Sequence, residues 1–323
     1  VIRAVTTAEG TTLDRVLDAA CRTSRGVLSR RAYGKFHAAR MKTSWGSRHQ
    51  QRFALVEGND ILASAERYDL SGVLDGRPVR VCGIGSVFTE PSQRGQGHAR
   101  RLVEELLDDA EREEAEVALL FPPIGIDDDV RRGFQPMPLT DLSLGVTESS
   151  RHGAPMTTVR GGEERDLAAI VAMGKVRAAQ FRFHLDRDMD FVQYVITTRR
   201  LLAGLGSAHA RKLQFFIAEE GITAAAYVVI SVVGDLWTVE ECGDRDASGA
   251  RVGALLQALI AREPGEQRPT ILAWLPPRFL PPQLTIASAT PSTETIWLRA
   301  LGSRTMVPPL CADDVLFWRN DIL

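Results

Sequence analysis

The spacing of apolar residues changes several times along the chain, and each change marks an element. At residues 12–21, Leu13, Val16, Leu17 and Ala20 recur three or four apart, which predicts a short helix. Residues 33–50 are polar and aromatic without a clean period, and read as helix and loop. The stretch QRFALVEG (51–58) passes through Glu57-Gly58-Asn59-Asp60 into DILASAERYDL (60–70), a pattern that predicts a hairpin. RPVRVCGIGSVFT (77–89) predicts a third strand, ending before Pro91, which has no N–H to give to a ladder. From Gly97 the period is helical again, with Ala99, Leu102, Val103, Leu106, Leu107 and Ala110 on one stripe. EVALLF (116–121) reads as a buried strand, and residues 127–132 as a short helix.

A polar stretch at 146–164 interrupts this order and places a boundary near Pro155, giving domains of residues 1–155 and 156–323. Beyond it the pattern returns. It predicts a helix at 163–178, paired strands at 212–221 and 222–234, a strand at 236–242 and a helix at 247–262. A buried strand at 270–276, a helix at 292–302 and a last strand at 314–319 complete it. Strands and helices alternate in both halves, so the fold class is α/β, with mixed sheets flanked by helices and a weak internal repeat of architecture.

Composition narrows the class. The chain has 323 residues, 44% apolar and 25% charged, with a formal net charge of −2. It can bury a sizeable core, and its charge balance does not suit a nucleic-acid binder. Cys21, Cys82, Cys242 and Cys311 are far apart and form no CxxC, which fits a reducing cytoplasm. The six histidines include no HExxH, so no metal is expected. No run of 18 apolar residues predicts a membrane span.

The candidate chemistry lies in FTEPSQRGQGHARRLVEELLDDA (88–110). Gly95 and Gly97 stand where a strand hands over to a helix, and let the backbone approach a ligand with no Cβ in the way. The first-turn N–H groups of a helix have no intrahelical partner and can hold a phosphate or pyrophosphate. Arg94, Arg100 and Arg101 add positive potential. Arginines at the start of this helix and acids at its end run against the helix dipole, which suggests an anion at the first turn. GK[ST] is absent, so this is not a Walker loop, and GxGxxG does not follow either.

The stretch resembles motif A of the GCN5-related N-acetyltransferases (GNAT), Q/R-x-x-G-x-G/A, with Arg94, Gly97 and Ala99 matching in order. Residues 51–138 are similar to the fungal lysine N6-acetyltransferases, and tandem bacterial acetyltransferases such as the enhanced-intracellular-survival proteins offer a second comparison. The resemblance implies a splayed mixed sheet in the first half and a second, degenerate acetyltransferase-like domain that helps form the acceptor cleft. It implies acetyl-CoA as co-substrate. The main chain of Val87 and Thr89 would contact its pantetheine arm. Backbone N–H groups of Gln96, Gly97, His98 and Ala99 would wrap the pyrophosphate, with Arg94, Gly95 and Arg100 beside them.

For catalysis the resemblance implies attack of a neutral primary amine on the thioester. Glu66 is the first candidate base, with Tyr68 following on the same strand; the competing reading of Glu66 is a solvated edge carboxylate. Asp129 stands where many relatives carry a tyrosine that protonates the leaving thiolate. Its other reading is part of an acidic cap or exposed face. His37, Trp45 and His49 fall where relatives build the acceptor cleft, with core packing as the alternative. Glu240 and Glu241 could face an amine or the surface. The expected partner is a small-molecule amine or amino acid, not nucleic acid or a membrane. The alternatives are an aminoglycoside or polyamine acetyltransferase, and a non-catalytic CoA-binding protein.

Overall fold

The computed structural model describes residues 3–23, 28–121, 131, 133–147, 157–206, 211–264, 268–302 and 309–323. In chain order the elements begin with β1 (Arg3–Thr7), α1 (Gly10–Thr23), α2 (Arg30–Met41) and α3 (Ser44–His49). The hairpin β2 (Gln50–Glu57) and β3 (Asp60–Leu74) follows, then β4 (Arg77–Thr89), α4 (His98–Arg112), β5 (Val117–Leu120) and β6 (Gln135–Met137). Next come β7 (Thr140–Val146), β8 (Thr157–Gly161), α5 (Leu167–Ala178), β9 (Phe183–Leu185) and α6 (Met189–Leu205). After them run β10 (Lys212–Glu220), β11 (Thr223–Val233), β12 (Leu236–Asp244), α7 (Ala250–Ile260) and β13 (Thr270–Ala273). The last strands are β14 (Leu284–Pro291), β15 (Ile296–Ala300) and β16 (Val315–Leu316). Among the described residues no helix is long and apolar enough to cross a membrane.

Two compact units result. The first comprises Val1–Pro138, Glu294–Cys311 and Ile322–Leu323; the second comprises Leu139–Thr293 and Ala312–Asp321. The single cut expected near Pro155 is therefore corrected, because strands are exchanged. The first sheet runs β1-β2-β3-β4-β5-β15-β6, and the second β14-β7-β13-β12-β11-β10-β8. β15 belongs to the first sheet although it comes late in the chain, and β7 to the second although it comes early.

The helix expected at 292–302 is corrected for the same reason. Those residues hold β15, which lies antiparallel to β5 with Trp297 opposite Leu120 and Leu298 opposite Leu119. Ile296 and Leu298 are buried while Trp297 and Arg299 are half-buried, a period of two set by the sheet. β14 escaped the sequence pattern because all but its first residue are exposed, so it carries no apolar alternation. The expected helix at 127–132 lies, apart from Arg131, outside the described residues.

Along each of these strand orders one parallel pair is joined through a helix: β4 and β5 through α4, β12 and β13 through α7. The stripe Leu102, Val103, Leu106 and Leu107 of α4 packs on Leu55, Ala63, Ala65, Ile84 and Leu120. Leu102 and Leu106 are fully buried, each worth roughly 1.5–3 kcal/mol. In the second unit Val252, Leu255, Leu256 and Leu259 of α7 cover Val228, Ile230, Val239 and Ile271. Residues of α5 and α6, among them Ile170, Met173, Val192 and Ile196, cluster with Phe215, Ile217, Tyr227 and Val229.

Candidate functional site

In the first unit, β4 pairs with β5 from Val81↔Val117 to Ile84↔Leu120, and the N–H of Phe121 still donates to Ile84 O at 2.9 Å. There the parallel register ends. On its other edge β4 changes register against β3: Ser64 faces Phe88, but Glu66 faces Gly85. Ser86 and Val87 thus stand against Ala65 alone, a bulge in which Ser86 takes a left-handed φ of 49°. The bend falls where β5 leaves β4, so the sheet opens beside Val87 and Thr89. At Gly85 an added Cβ would come within 3.1 Å of Leu323 O and 3.3 Å of the Tyr68 ring, so the last residues of the chain reach this bend.

After β4 the chain turns through Pro91–Gln93 and enters α4 through Gly95 (φ +74°) and Gly97 (φ 75°, ψ 12°). A side chain in this left-handed region costs roughly 1–2 kcal/mol, which is why glycine stands at both places. A Cβ built on Gly95 or Gly97 meets no atom of the described residues within 4 Å. The helix therefore starts on a bare backbone facing open space. Arg94 and Gln96 are exposed, Arg100 is half-buried, and Gln96 Nε2 donates to Gln93 Oε1 at 3.1 Å. Ala99 is buried, and so is the His98 ring at 2% exposure.

On the neighbouring face lies a buried polar cluster. Glu66 is 1% exposed, which corrects its reading as a solvated edge carboxylate. Its Oε1 accepts from Arg52 Nη2 at 2.6 Å, with His37 Nδ1 at 3.7 Å. Its Oε2 accepts from Tyr68 OH at 2.5 Å, Ser86 Oγ at 3.1 Å and Arg40 Nη1 at 3.4 Å. Arg40 Nη2 also donates to Tyr68 OH at 3.1 Å. His37 and Arg40 come from α2, Arg52 from β2, and Glu66 and Tyr68 from one face of β3. Burial alone would push the Glu66 carboxyl up. The charges of Arg52 and Arg40, with the nearby His37 ring and a hydrogen bond from Tyr68, outweigh burial and hold it well below the usual carboxylate range. Burial is also the main cause of a raised Tyr33 hydroxyl beside this cluster.

Sequence reading found Glu66, Tyr68 and His37 but missed Arg40, Arg52 and Ser86. Glu57 and Asp60 pair at the hairpin end, and regular pairing from there would set Arg52 against Ala65. A register shift beside Leu55 and Val56 sets it against Glu66 instead. No local spacing announces that extra residue. Asp129 lies outside the described residues. Trp45 is 5% exposed and stacked on the half-buried His49 ring at 5.1 Å. Cys82 is buried, its thiol pushed up to about 12 by burial, and is no nucleophile at neutral pH.

The second unit repeats this geometry and fills it. The parallel register of β12 and β13 ends at Val239↔Ala273, and a register shift leaves Glu240 bulged between Val239 and Glu241. α7 also starts on a left-handed glycine, Gly249, with φ 73° and ψ 18°. Here, however, a Cβ would lie 2.5 Å from the Phe279 ring, and at Gly253 one would lie 2.0 Å from Gln283 Oε1. The Asp244 carboxylate accepts from the N–H groups of Arg251 at 2.7 Å and Val252 at 3.2 Å. The protein's own anion thus occupies the opening turn of α7. Glu241 is fully buried, accepting two bonds from Arg187 at 2.9 and 2.6 Å, one from Asn320 at 3.1 Å and one from Tyr227 OH. It faces neither the surface nor an open site.

A glycine-entered helix start leaves first-turn N–H groups that can hold a phosphate. Residues 26–134 match the family model described as "Acetyltransferase (GNAT) domain". No curated protein matches the sequence. Among solved structures, a GCN5-related N-acetyltransferase from Kribbella flavida is similar at TM-score 0.68 and 18% identity, covering 93% of this chain and 71% of that one. A probable N-acyltransferase from Enterococcus faecalis gives TM-score 0.67 and 11% identity over 93% of this chain and 72% of that one. The N-myristoyltransferase of Saccharomyces cerevisiae, solved with myristoyl-CoA, gives 0.55 and 9% over 92% of this chain and 82% of that one. At these identities the likeness is one of fold.

Proposed function

We propose that the first unit transfers an acetyl group from acetyl-CoA to the primary amine of a small molecule or amino acid. The observation that carries this reading is the contrast between two otherwise similar helix starts. That of α4 is open in front of Gly95 and Gly97; that of α7 is filled by Phe279 and Gln283 and capped by Asp244. The second unit is then a degenerate copy without a cofactor.

The residues present fit the cofactor. Backbone N–H groups of Gln96, Gly97, His98 and Ala99 would hold the pyrophosphate, with Arg94, Gly95 and Arg100 around it. Main-chain groups of Val87 and Thr89, at the opened edge of β4, would orient the pantetheine arm. The bound thioester supplies an electrophilic carbonyl. Against it, the unit's own contribution is orientation, which accounts for much of the rate in such reactions.

Glu66 takes a different role in this proposal from that of a direct base. It already accepts from Arg52, Arg40, Tyr68 and Ser86, and its proton affinity is low. It fixes Ser86 at the bulge and the hydroxyl of Tyr68 at the site. A lysine-like ammonium, with a pKa of about 10.4, gives its proton to water or to a group outside this cluster. Asp129 keeps the place of the acid that the motif assigns.

The test is a thiol-release assay with acetyl-CoA across amino acids, polyamines and aminoglycosides, together with CoA titration of Gly97→Val. CoA affinity should fall at least about tenfold in the variant, since a β-branched residue is strained at this φ. Unchanged affinity, or no thiol release with any amine, would overturn the reading.

A further inference from the structure

The two faces of β4 are filled differently just before its bend. Cys82 and Ile84 turn to the α4 side and join the core there with Leu102 and Leu106. Gly83 and Gly85 alternate with them, so the places their side chains would take lie on the opposite face. Those places are already occupied. A Cβ built on Gly83 would lie 2.9 Å from Phe121 Cε2, 2.9 Å from Leu70 Cδ1 and 3.3 Å from Tyr68 Cβ. One built on Gly85 would lie 3.1 Å from Leu323 O, 3.3 Å from Tyr68 Cε2 and 3.6 Å from Phe121 Cδ2.

The rings of Tyr68 and Phe121 thus take the volume that two β4 side chains would fill. They meet edge to face, with centroids 6.1 Å apart and planes at 81°. Tyr68 is 0% exposed and Phe121 2%. Both are anchored. The Tyr68 hydroxyl is tied to Glu66 and Arg40. Phe121 gives its own N–H to Ile84 O at 2.9 Å, where the parallel register of β4 and β5 ends. The pair therefore forms a close-packed aromatic floor that stops at Gly85, one residue before the bulge of Ser86 and Val87.

We propose that this floor sets the length of the acyl group that the first unit accepts, with Phe121 as the specificity-determining residue. The inference rests on the CoA-thioester reading above and adds the size of the donor's acyl group to it. With the pantetheine arm held along Val87 and Thr89, the floor leaves room for a short acyl group only. A single methylene that an apolar site cannot house already costs roughly 10–200-fold in discrimination. Phe121 is the member of the pair that can be varied cleanly. Tyr68 belongs to the Glu66 cluster, whereas no hydrogen bond depends on the Phe121 ring.

The experiment measures binding of CoA, acetyl-CoA, butyryl-CoA and hexanoyl-CoA to the full chain by calorimetry, with no acceptor amine present. Wild type should bind acetyl-CoA at least about tenfold more tightly than hexanoyl-CoA, with butyryl-CoA between them. Phe121→Ala leaves a cavity beside Gly83 and Gly85, and hexanoyl-CoA should then bind within about threefold of acetyl-CoA. Phe121→Leu keeps an apolar side chain in the core and should move the preference part of the way, which serves if the alanine variant does not fold. Hexanoyl-CoA bound as tightly as acetyl-CoA by wild type, or a chain-length preference unchanged in the folded variants, would overturn the proposal and leave the cofactor reading intact. Failure of CoA and of every thioester to bind wild type would remove both.

Discussion

Replacing Glu66 with glutamine separates a fixed anion from an accessible base. The substitution keeps the shape and removes the charge. Arg52 and Arg40, 4% and 5% exposed, would lose the anion that compensates them. Breaking a buried pair from one side costs roughly 3–5 kcal/mol. The amide oxygen of glutamine can still accept one arginine bond, so about 3 kcal/mol is expected for the first unit. The pH dependence has a defined sign. The Glu66 carboxyl is depressed in the folded chain, so its stabilisation is complete above the unfolded value of about 4.3. That stabilisation is lost as pH falls from there through the folded value. Hydrogen exchange of β2 and β3 amides in urea reports this unit separately. The gap between wild type and Glu66→Gln should be full at pH 7 and shrink below about pH 4. Protection within about 0.5 kcal/mol of wild type, with a lost acid-side limb in the rate profile, would show that Glu66 is an accessible base and refute the reasoning.

Other outcomes follow from the same geometry. Asp244→Ala removes the acceptor of the Arg251 and Val252 N–H groups and should destabilise the second unit by about 2 kcal/mol, read from exchange of α7 amides. Wild type should bind one CoA per chain by calorimetry, since a Cβ at Gly249 would already collide with Phe279. In the native chain, iodoacetamide at pH 8 should modify exposed Cys311 well before buried Cys82 and Cys242, whose thiols are held high by burial; mass spectrometry of the peptides gives the order.

Local chemistry in the sequence was enough to determine several parts of this protein. The apolar stripe from Ala99 to Ala110 dictated α4, the alternation around Glu57–Asp60 the hairpin, and the paired glycines the left-handed entry to the helix. Each of these is a property of neighbours a few residues apart. Other features depended on what lies across space. Residues 296–300 have a helical look alone, but β5 and β6 take them as a strand. Arg52 meets Glu66 because one extra residue near Leu62 shifts the register, and a shift of one turns every side chain to the other face. Both helix starts carry a left-handed glycine, yet one faces open space and the other the Phe279 ring and the Asp244 carboxylate. Periodicity states which face an element buries; only the tertiary pairing decides what that face meets, because register and long-range packing are set by the whole sheet.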